Sequence, residues 1–434
     1  MDMAARHERV GDYLHHIGLL LGDKTRLAPF AAYFVGLLSS LPRKNTEAIA
    51  TLFADESNIT ATYKKLNNFL CASPWRDAAV RDFSTRYALD LLPENDPVEY
   101  WIIDDTGFIK KGKHSVGVQR QYTGTSGKVD NCQTAVSISA ATEQRQIPLD
   151  MQLYLGKSWT DNAERRAEAR IPEGIGFRTK PEIAEDMLRG VCASTSARAM
   201  VLADHAYGNA ASFRRTLVEL GLDYSVDIGP NTKMWRLDAN ERRRGPVTSA
   251  KALGGRLEYR RYTWREGTQR DLASRFAFAR VVVEGDLKQD GQLRPVWLVA
   301  ERPFDDTESP GYFVSTLPPN TPHIAIVRAH MNRWRTERMY QDLKGVCGLD
   351  HYEGRRYPGW NHHVTVAMAA YAFSFAEQAR LFPPPPNRPK VRGAVRVSTG
   401  TPLRRFDDFH GTAVIWGTAR MVAAMSGVPP GPLS

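Results

Sequence analysis

Two short apolar runs, YWIIDD ending at Asp105 and AMVLAD ending at Asp204, each close on carboxylates. A turn follows each, Thr-Gly in the first case and His-Ala-Tyr-Gly in the second. Runs this short and this rich in Ile, Val and Leu read as buried strands. QTAVSISA, DMQLYLG and DYSVDIG read as further strands, and helical periods fall at 180–188 and 213–220. Strands that alternate with helices require an α/β core with a mixed sheet. In such sheets the carboxyl ends of the strands border a crevice where functional groups gather. Asp104, Asp105 and Asp204 are therefore candidates for a site, although an aspartate at a strand end also serves simply as a turn former.

The flanking segments follow other periods. The first hundred residues read as helical, with a short helix from Asn45 to Ala54 and a second one capped by Thr60. The second helix puts Tyr63, Leu66, Phe69 and Leu70 on one side and Lys64, Lys65, Asn67 and Asn68 on or near the other. Two readings stand for this pair: a helix-turn-helix with Lys64 and Lys65 facing a DNA groove, or a small bundle with a solvated face. Residues 230–318 carry β-rich runs (RLEYRRYTW, FAFARVVVEG, VWLVAE, GYFVSTL) and interrupt the α/β rhythm. A long helix is expected from Pro322 to Lys344, an apolar one from His363 to Arg380, and a Pro-rich basic tail beyond. The expected division is 1–95 helical and DNA-binding, 96–229 first part of the core, 230–318 β-rich insertion, 319–380 second part of the core, and 381–434 tail.

Charge and cysteine usage narrow the function classes. A net charge of +10 over 434 residues suits a polyanionic partner without proving one. Cys71, Cys132, Cys192 and Cys347 form no CxxC pair, which argues against a structural zinc site and a disulfide framework and fits a reducing cytosol. The N-terminus resembles no signal peptide, and the apolar stretch from Leu27 to Leu41 is too short to span a bilayer. A cytoplasmic protein with no membrane partner is expected.

A third carboxylate, Glu337, lies in the helical segment RWRTERMYQDLK. On a continuous helix His330, Arg333, Glu337 and Lys344 occupy a stripe roughly 60° wide. Such a stripe either holds a metal-bound phosphate between cations or is a face laced with i,i+4 ion pairs. Phosphodiester cleavage needs an attacking and a leaving oxygen stabilised across one phosphorus, which two divalent metals on hard carboxylate ligands achieve. A metal-dependent phosphohydrolase acting on small molecules meets the same requirement, but the basic stripe and net charge disfavour it.

Together, IIDDTG, VLADHAYG and the Arg-Trp…Glu…Lys helix resemble the bacterial insertion-sequence DDE transposases with a β-rich insertion between the second and third acids. The blocks KGKHSVGVQRQYTGTSGKVDNCQ and LYLGKSWTDNAERRAEARIP resemble one subfamily of them, and the likeness runs from about Phe30 to Glu377. That group carries a Tyr-Arg-Glu-Lys signature with two, three and six intervening residues. Arg333, Glu337 and Lys344 fit it, while His330 stands at the tyrosine position. The resemblance implies a ribonuclease-H-like core and a catalytic, metal-binding triad of Asp104, Asp204 and Glu337 with two Mg²⁺ (or Mn²⁺) ions. It further implies action as a homodimer on double-stranded DNA, both the terminal inverted repeats and the target. A DNA-binding regulator derived from such an enzyme is the alternative. Lys110, Lys111 and Lys113 after the first acid, His330, Arg333 and Lys344 on the third-acid helix, and Arg355 and Arg356 just past it are expected DNA contacts. Trp235, Trp264 and Trp297 read as base-stacking or, more simply, buried tryptophans.

Overall fold

A computed structural model describes residues 3–265, 271–286, 294–305 and 307–381; the expected tail, 381–434, lies outside the described residues apart from its first position. The strands are β1 Tyr100–Ile109, β2 Gln119–Thr123, β3 Lys128–Ala141, β4 Gln146–Leu153, β5 Met200–Ala203 and β6 Tyr224–Asp227. They continue with β7 Lys233–Leu237, β8 Arg243–Ser249, β9 Arg260–Arg265, β10 Leu272–Val283, β11 Val296–Arg302 and β12 Gly311–Ser315. Helices α1 Met3–Leu20, α2 Leu27–Leu38, α3 Thr46–Ala50, α4 Ile59–Cys71 and α5 Asp77–Leu89 precede the first strand. Between β4 and β6 come α6 Lys157–Thr160, α7 Ala163–Ala169, α8 Lys180–Ser194, α9 His205–Gly208 and α10 Ala211–Glu219. The last four are α11 Ala250–Gly254, α12 His323–Met331, α13 Arg335–Gly345 and α14 Tyr357–Leu381.

The mixed α/β character expected from the sequence is present, in one large sheet. Its order is β2-β3-β1-β5-β6-β12-β11-β10-β7-β8, with β4 also on β3 and β9 also on β10. Strands β1, β5 and β6 are mutually parallel, whereas β3 is antiparallel to β1 and β12 antiparallel to β6. The β-rich residues after 230 do not fold apart from the core: through β12 they extend its sheet directly from β6.

Side-chain alternation along β1 sorts the two faces of the sheet. Trp101 and Ile103 pack with Ile183, Met187 and Phe213 of α8 and α10. Tyr100 and Ile102 pack on the other side with Ile326 and Val327 of α12. A third core joins Tyr13, Phe30, Phe34 and Phe69 of the leading helices to Phe108 of β1, Leu343 of α13 and Trp360 of α14. The leading helices thus share their core with the segment after residue 335 instead of closing on themselves. Glu377 of α14, fully buried, accepts from Arg9 of α1 at 2.6 and 2.7 Å and ties the two ends together.

Local signals account for several boundaries. Thr179 and Glu182 form a reciprocal capping box that starts α8, with Pro181 in the first turn. Asn45 caps α3 by accepting from the Ala48 amide, while Thr60 falls inside α4 instead of capping it. No described helix is long and apolar enough to cross a membrane.

Candidate active site

Register places three aspartates side by side. Ile103 pairs with Ala203 across β1 and β5, and Ala203 pairs with Val226 across β5 and β6. The next residues, Asp104, Asp204 and Asp227, therefore sit on neighbouring strands at the same level, where strands are spaced about 4.8 Å apart. The strand-end expectation is met for Asp204, whose carboxylate caps α9 by accepting from the Ala206 amide at 2.9 Å. It needs correction for Asp104, because β1 continues to Ile109 through its pairing with β3. Asp104 lies at the carboxyl end of the parallel part of the sheet, not at the end of its own strand.

The two adjacent aspartates of β1 part company by alternation. Asp105 turns to the α8 face and pairs with Lys180, Oδ2 to Nζ 2.8 Å. Asp104 shares the face of Ile102 and Phe108, beneath α12 and α13. Burial, then the charge of Asp105, push the Asp104 carboxyl up to about 7. Burial likewise raises Asp204, against the lowering influence of Arg333 and His205. The hydroxyl of Tyr207, wholly buried and influenced by all three of Asp104, Asp105 and Asp204, has no hydrogen-bond partner among the described residues. An acid pair that resists ionisation, beside an unpaired hydroxyl, is a donor set of hard oxygens suited to a divalent cation. Among the described residues no three His, Cys, Asp or Glu side chains already form a metal cage.

Helix α13 lies along β1 with matched pitch. Gln146 Nε2 donates both to Thr336 Oγ1 and to Ser139 Oγ, and Ser139 is the partner of Ile102. Four residues on, Tyr340 Oη lies 2.6 Å from Ser137 Oγ, and Ser137 is the partner of Asp104. Four further, Lys344 Nζ donates to the Gly107 carbonyl at 2.9 Å. Four helical residues rise about 6 Å, close to the roughly 6.8 Å of the two-residue step from Ile102 to Asp104, and the long Lys344 side chain spans the three-residue step to Gly107. Glu337, exposed in the first turn of α13, follows Thr336 directly and precedes Tyr340 by one turn.

The cations expected at the site divide. The expected continuous helix from Pro322 to Lys344 is broken by a 3₁₀ turn at Asn332–Trp334, so the four-residue stripe does not persist. His330 is turned inward: its ring stacks on Phe313 at 3.7 Å, Nδ1 lies 3.0 Å from Ser225 Oγ, and Nε2 lies 2.9 Å from Asp227 Oδ1. Arg333 reaches the other oxygen of Asp227 at 2.9 Å. Lys110 is also drawn in, donating to the Tyr352 carbonyl, and burial pushes its ammonium down to about 8. Lys344 is half-buried on Gly107 and Thr125. Lys64, Lys65, Lys111, Lys113 and Arg355 are exposed, and Arg356 is half-buried. Of the three tryptophans, Trp297 is buried and donates to the Pro318 carbonyl, while Trp235 and Trp264 are half-buried.

Asp227 and Lys180 are not marked by the sequence motifs as site groups, whereas Tyr207 lies within VLADHAYG, just after the second acid, where it can shape the site. Asp227 carries the same signal as Asp104 and Asp204, a carboxylate closing an apolar run, in DYSVDIG.

Residues 19–282 match the DDE superfamily endonucleases, a span that takes in Asp104 and Asp204 and ends before α13. The chain belongs to the DDE superfamily of endonucleases. It is also 27% identical over 350 residues, 80% of this chain and 82% of the relative, to a probable transposase for insertion sequence element IS701 of Microchaete diplosiphon. Both findings agree with the resemblance carried by the IIDDTG and VLADHAYG motifs.

Proposed function

We propose that this DDE endonuclease is the transposase of an insertion sequence, cutting the ends of the element and joining the freed 3′-hydroxyl to target DNA. The observation that carries the reading is the side-by-side placement of Asp104 and Asp204 at the carboxyl end of the parallel part of the sheet. Asp104, Asp204 and Glu337 are the residues assigned to hold two Mg²⁺ or Mn²⁺ ions. Those ions, when bound, supply Lewis-acid stabilisation of the attacking and leaving oxygens. Asp104 is preferred over Asp105 because Asp105 is already committed to Lys180. Glu337 is assigned from the alignment of α13 along β1, which supports its approach to the level of Asp104.

The remaining roles follow from charge and exposure. The Arg333 guanidinium, partly open to solvent, binds a phosphate of the reacting strand and lowers the cost of its approach to two acids. Lys344 braces α13 against β1 and so fixes the height of Glu337. Exposed Lys64, Lys65, Lys111, Lys113 and Arg355 contact DNA backbone, a sequence-independent attraction that weakens with salt. Because two element ends must be joined in one event, the active species is a homodimer on double-stranded DNA, working in the cytoplasm.

The test is an excision assay on a plasmid carrying the native flanks of the gene, with Mg²⁺ supplied or withheld. Excision is expected only with the metal, and only with Asp104, Asp204 and Glu337 intact. Normal excision by Asp204→Ala overturns the assignment.

A further inference from the structure

Asp227 completes the row of aspartates, yet it is bonded unlike the other two. Each of its oxygens is taken, Oδ1 by His330 and Oδ2 by Arg333, both at 2.9 Å. His330 is itself immobilised on three sides, by Phe313 stacked on the ring and by Ser225 and Asp227 on its two nitrogens. Ser225 and Asp227 stand two apart on β6, hence on one face, and Phe313 is the cross-strand partner of Asp227. Burial opposes the charge on Asp227, but His330 and Arg333 outweigh it and hold the carboxyl below its ordinary value. The backbone here is equally confined: a Cβ on Gly208 would lie 2.0 Å from the Asp227 carbonyl oxygen. A carboxylate with both oxygens engaged by a cation and a braced imidazole is a poor ligand for a metal and a good anchor for an arginine.

Arg333 is also the cation that acts on both Asp104 and Asp204. Strand register puts Asp204 next to Asp227 and Asp104 next to Asp204, so an arginine released from its anchor faces those two acids, in the place where divalent ions are assigned.

We propose that Asp227, braced by His330, is a positioning residue that keeps the Arg333 guanidinium beside the Asp104–Asp204 pair, available to a DNA phosphate, and prevents it from closing onto the pair. The proposal rests on the metal-site reading given above. It predicts an unusual pattern: removing a carboxylate that binds no metal weakens metal binding, and removing the arginine as well restores it.

The experiment is calorimetric titration of the full-length protein with Mn²⁺ alone, without DNA, alongside thermal melting. Asp227→Asn is expected to weaken Mn²⁺ binding at least fivefold. The double variant Asp227→Asn/Arg333→Gln is expected to bind within about twofold of Arg333→Gln alone, the non-additivity of residues acting through one another. If Asp227→Asn fails to fold, His330→Gln, which removes only the brace, is expected to weaken binding in the same direction and to be rescued by the same second change. Wild-type affinity in a folded Asp227→Asn or His330→Gln protein, or a defect that persists when Arg333 is removed, overturns the proposal. Asp104→Asn in the same titration separates the two readings: its loss of Mn²⁺ binding supports the metal site, and undiminished binding overturns that site and the inference built on it.

Discussion

Lys180 Nζ lies 2.8 Å from Asp105 Oδ2, an ion pair that sets Asp105 apart from its chain neighbour Asp104. Asp104→Asn is expected to lower end cleavage by roughly three orders of magnitude or more, the scale seen when a group stabilising transition-state charge is deleted. Asp105→Asn, which loses only a partly exposed pair, is expected to stay within about tenfold of wild type and to cost about 1 kcal/mol of stability. Gel analysis of cleaved flanks, together with melting curves, distinguishes them; equal loss of cleavage in both variants contradicts the division.

Metal affinity is expected to depend on pH through Asp104. Its carboxyl is held up to about 7, and that of Asp204 is also raised, both chiefly by burial. A cation must displace the proton, so Mn²⁺ binding should weaken about tenfold per unit as pH falls below about 7 and level off above it. Calorimetry between about pH 6 and about pH 8 in two buffers of different ionisation heat also counts the proton released. A flat profile contradicts the raised value.

The same carboxyl makes the metal-free fold less stable in base. In the unfolded chain Asp104 loses its proton near its ordinary value of about 3.9, whereas in the folded protein it keeps it up to about 7. The folded state therefore binds the extra proton between these values, and stability falls as pH rises through that window and stays low above it. Asp104→Asn removes the penalty. Its melting temperature, without metal, is expected to exceed the wild-type value by a few degrees at about pH 8 and to match it near pH 4.

Glu377 supports a purely structural prediction. Its side chain is fully buried and paired with Arg9, with Arg6 3.7 Å away. Glu377→Gln removes the buried negative charge that faces Arg6 and Arg9 and is expected to cost about 3 kcal/mol in urea denaturation. Glu353→Gln, which breaks the exposed Arg43 pair, is expected to cost less than about 1 kcal/mol.

What was readable from sequence was what local composition decides. The apolar runs ending at Asp204 and Asp227 became strands, and the helical period at 180–188 became α8. The break at Asn332–Trp334 was not readable, since Asn-Arg-Trp contains neither proline nor glycine. His330 reads as a DNA contact from sequence because its three partners (Phe313, Ser225 and Asp227) are brought in by strand pairing across long stretches of chain. Lys110 reads as a DNA contact from sequence because the carbonyl that captures it belongs to Tyr352, 242 positions away. Register, by contrast, turned two isolated strand ends into one acid pair, and no local pattern encodes register between strands a hundred residues apart.

The pairing of β12 with β6 has a practical corollary for anyone wishing to trim this enzyme. Excising residues 233–315 as a dispensable module would strip the hydrogen-bonding flank from the strand that carries Asp227 and remove Phe313 from beneath His330. The shortened product would present a raw sheet margin, prone to self-association, next to Arg333, whose anchor Asp227 would be left with an unsupported imidazole. Size reduction here has to begin at the β8 margin and work inwards.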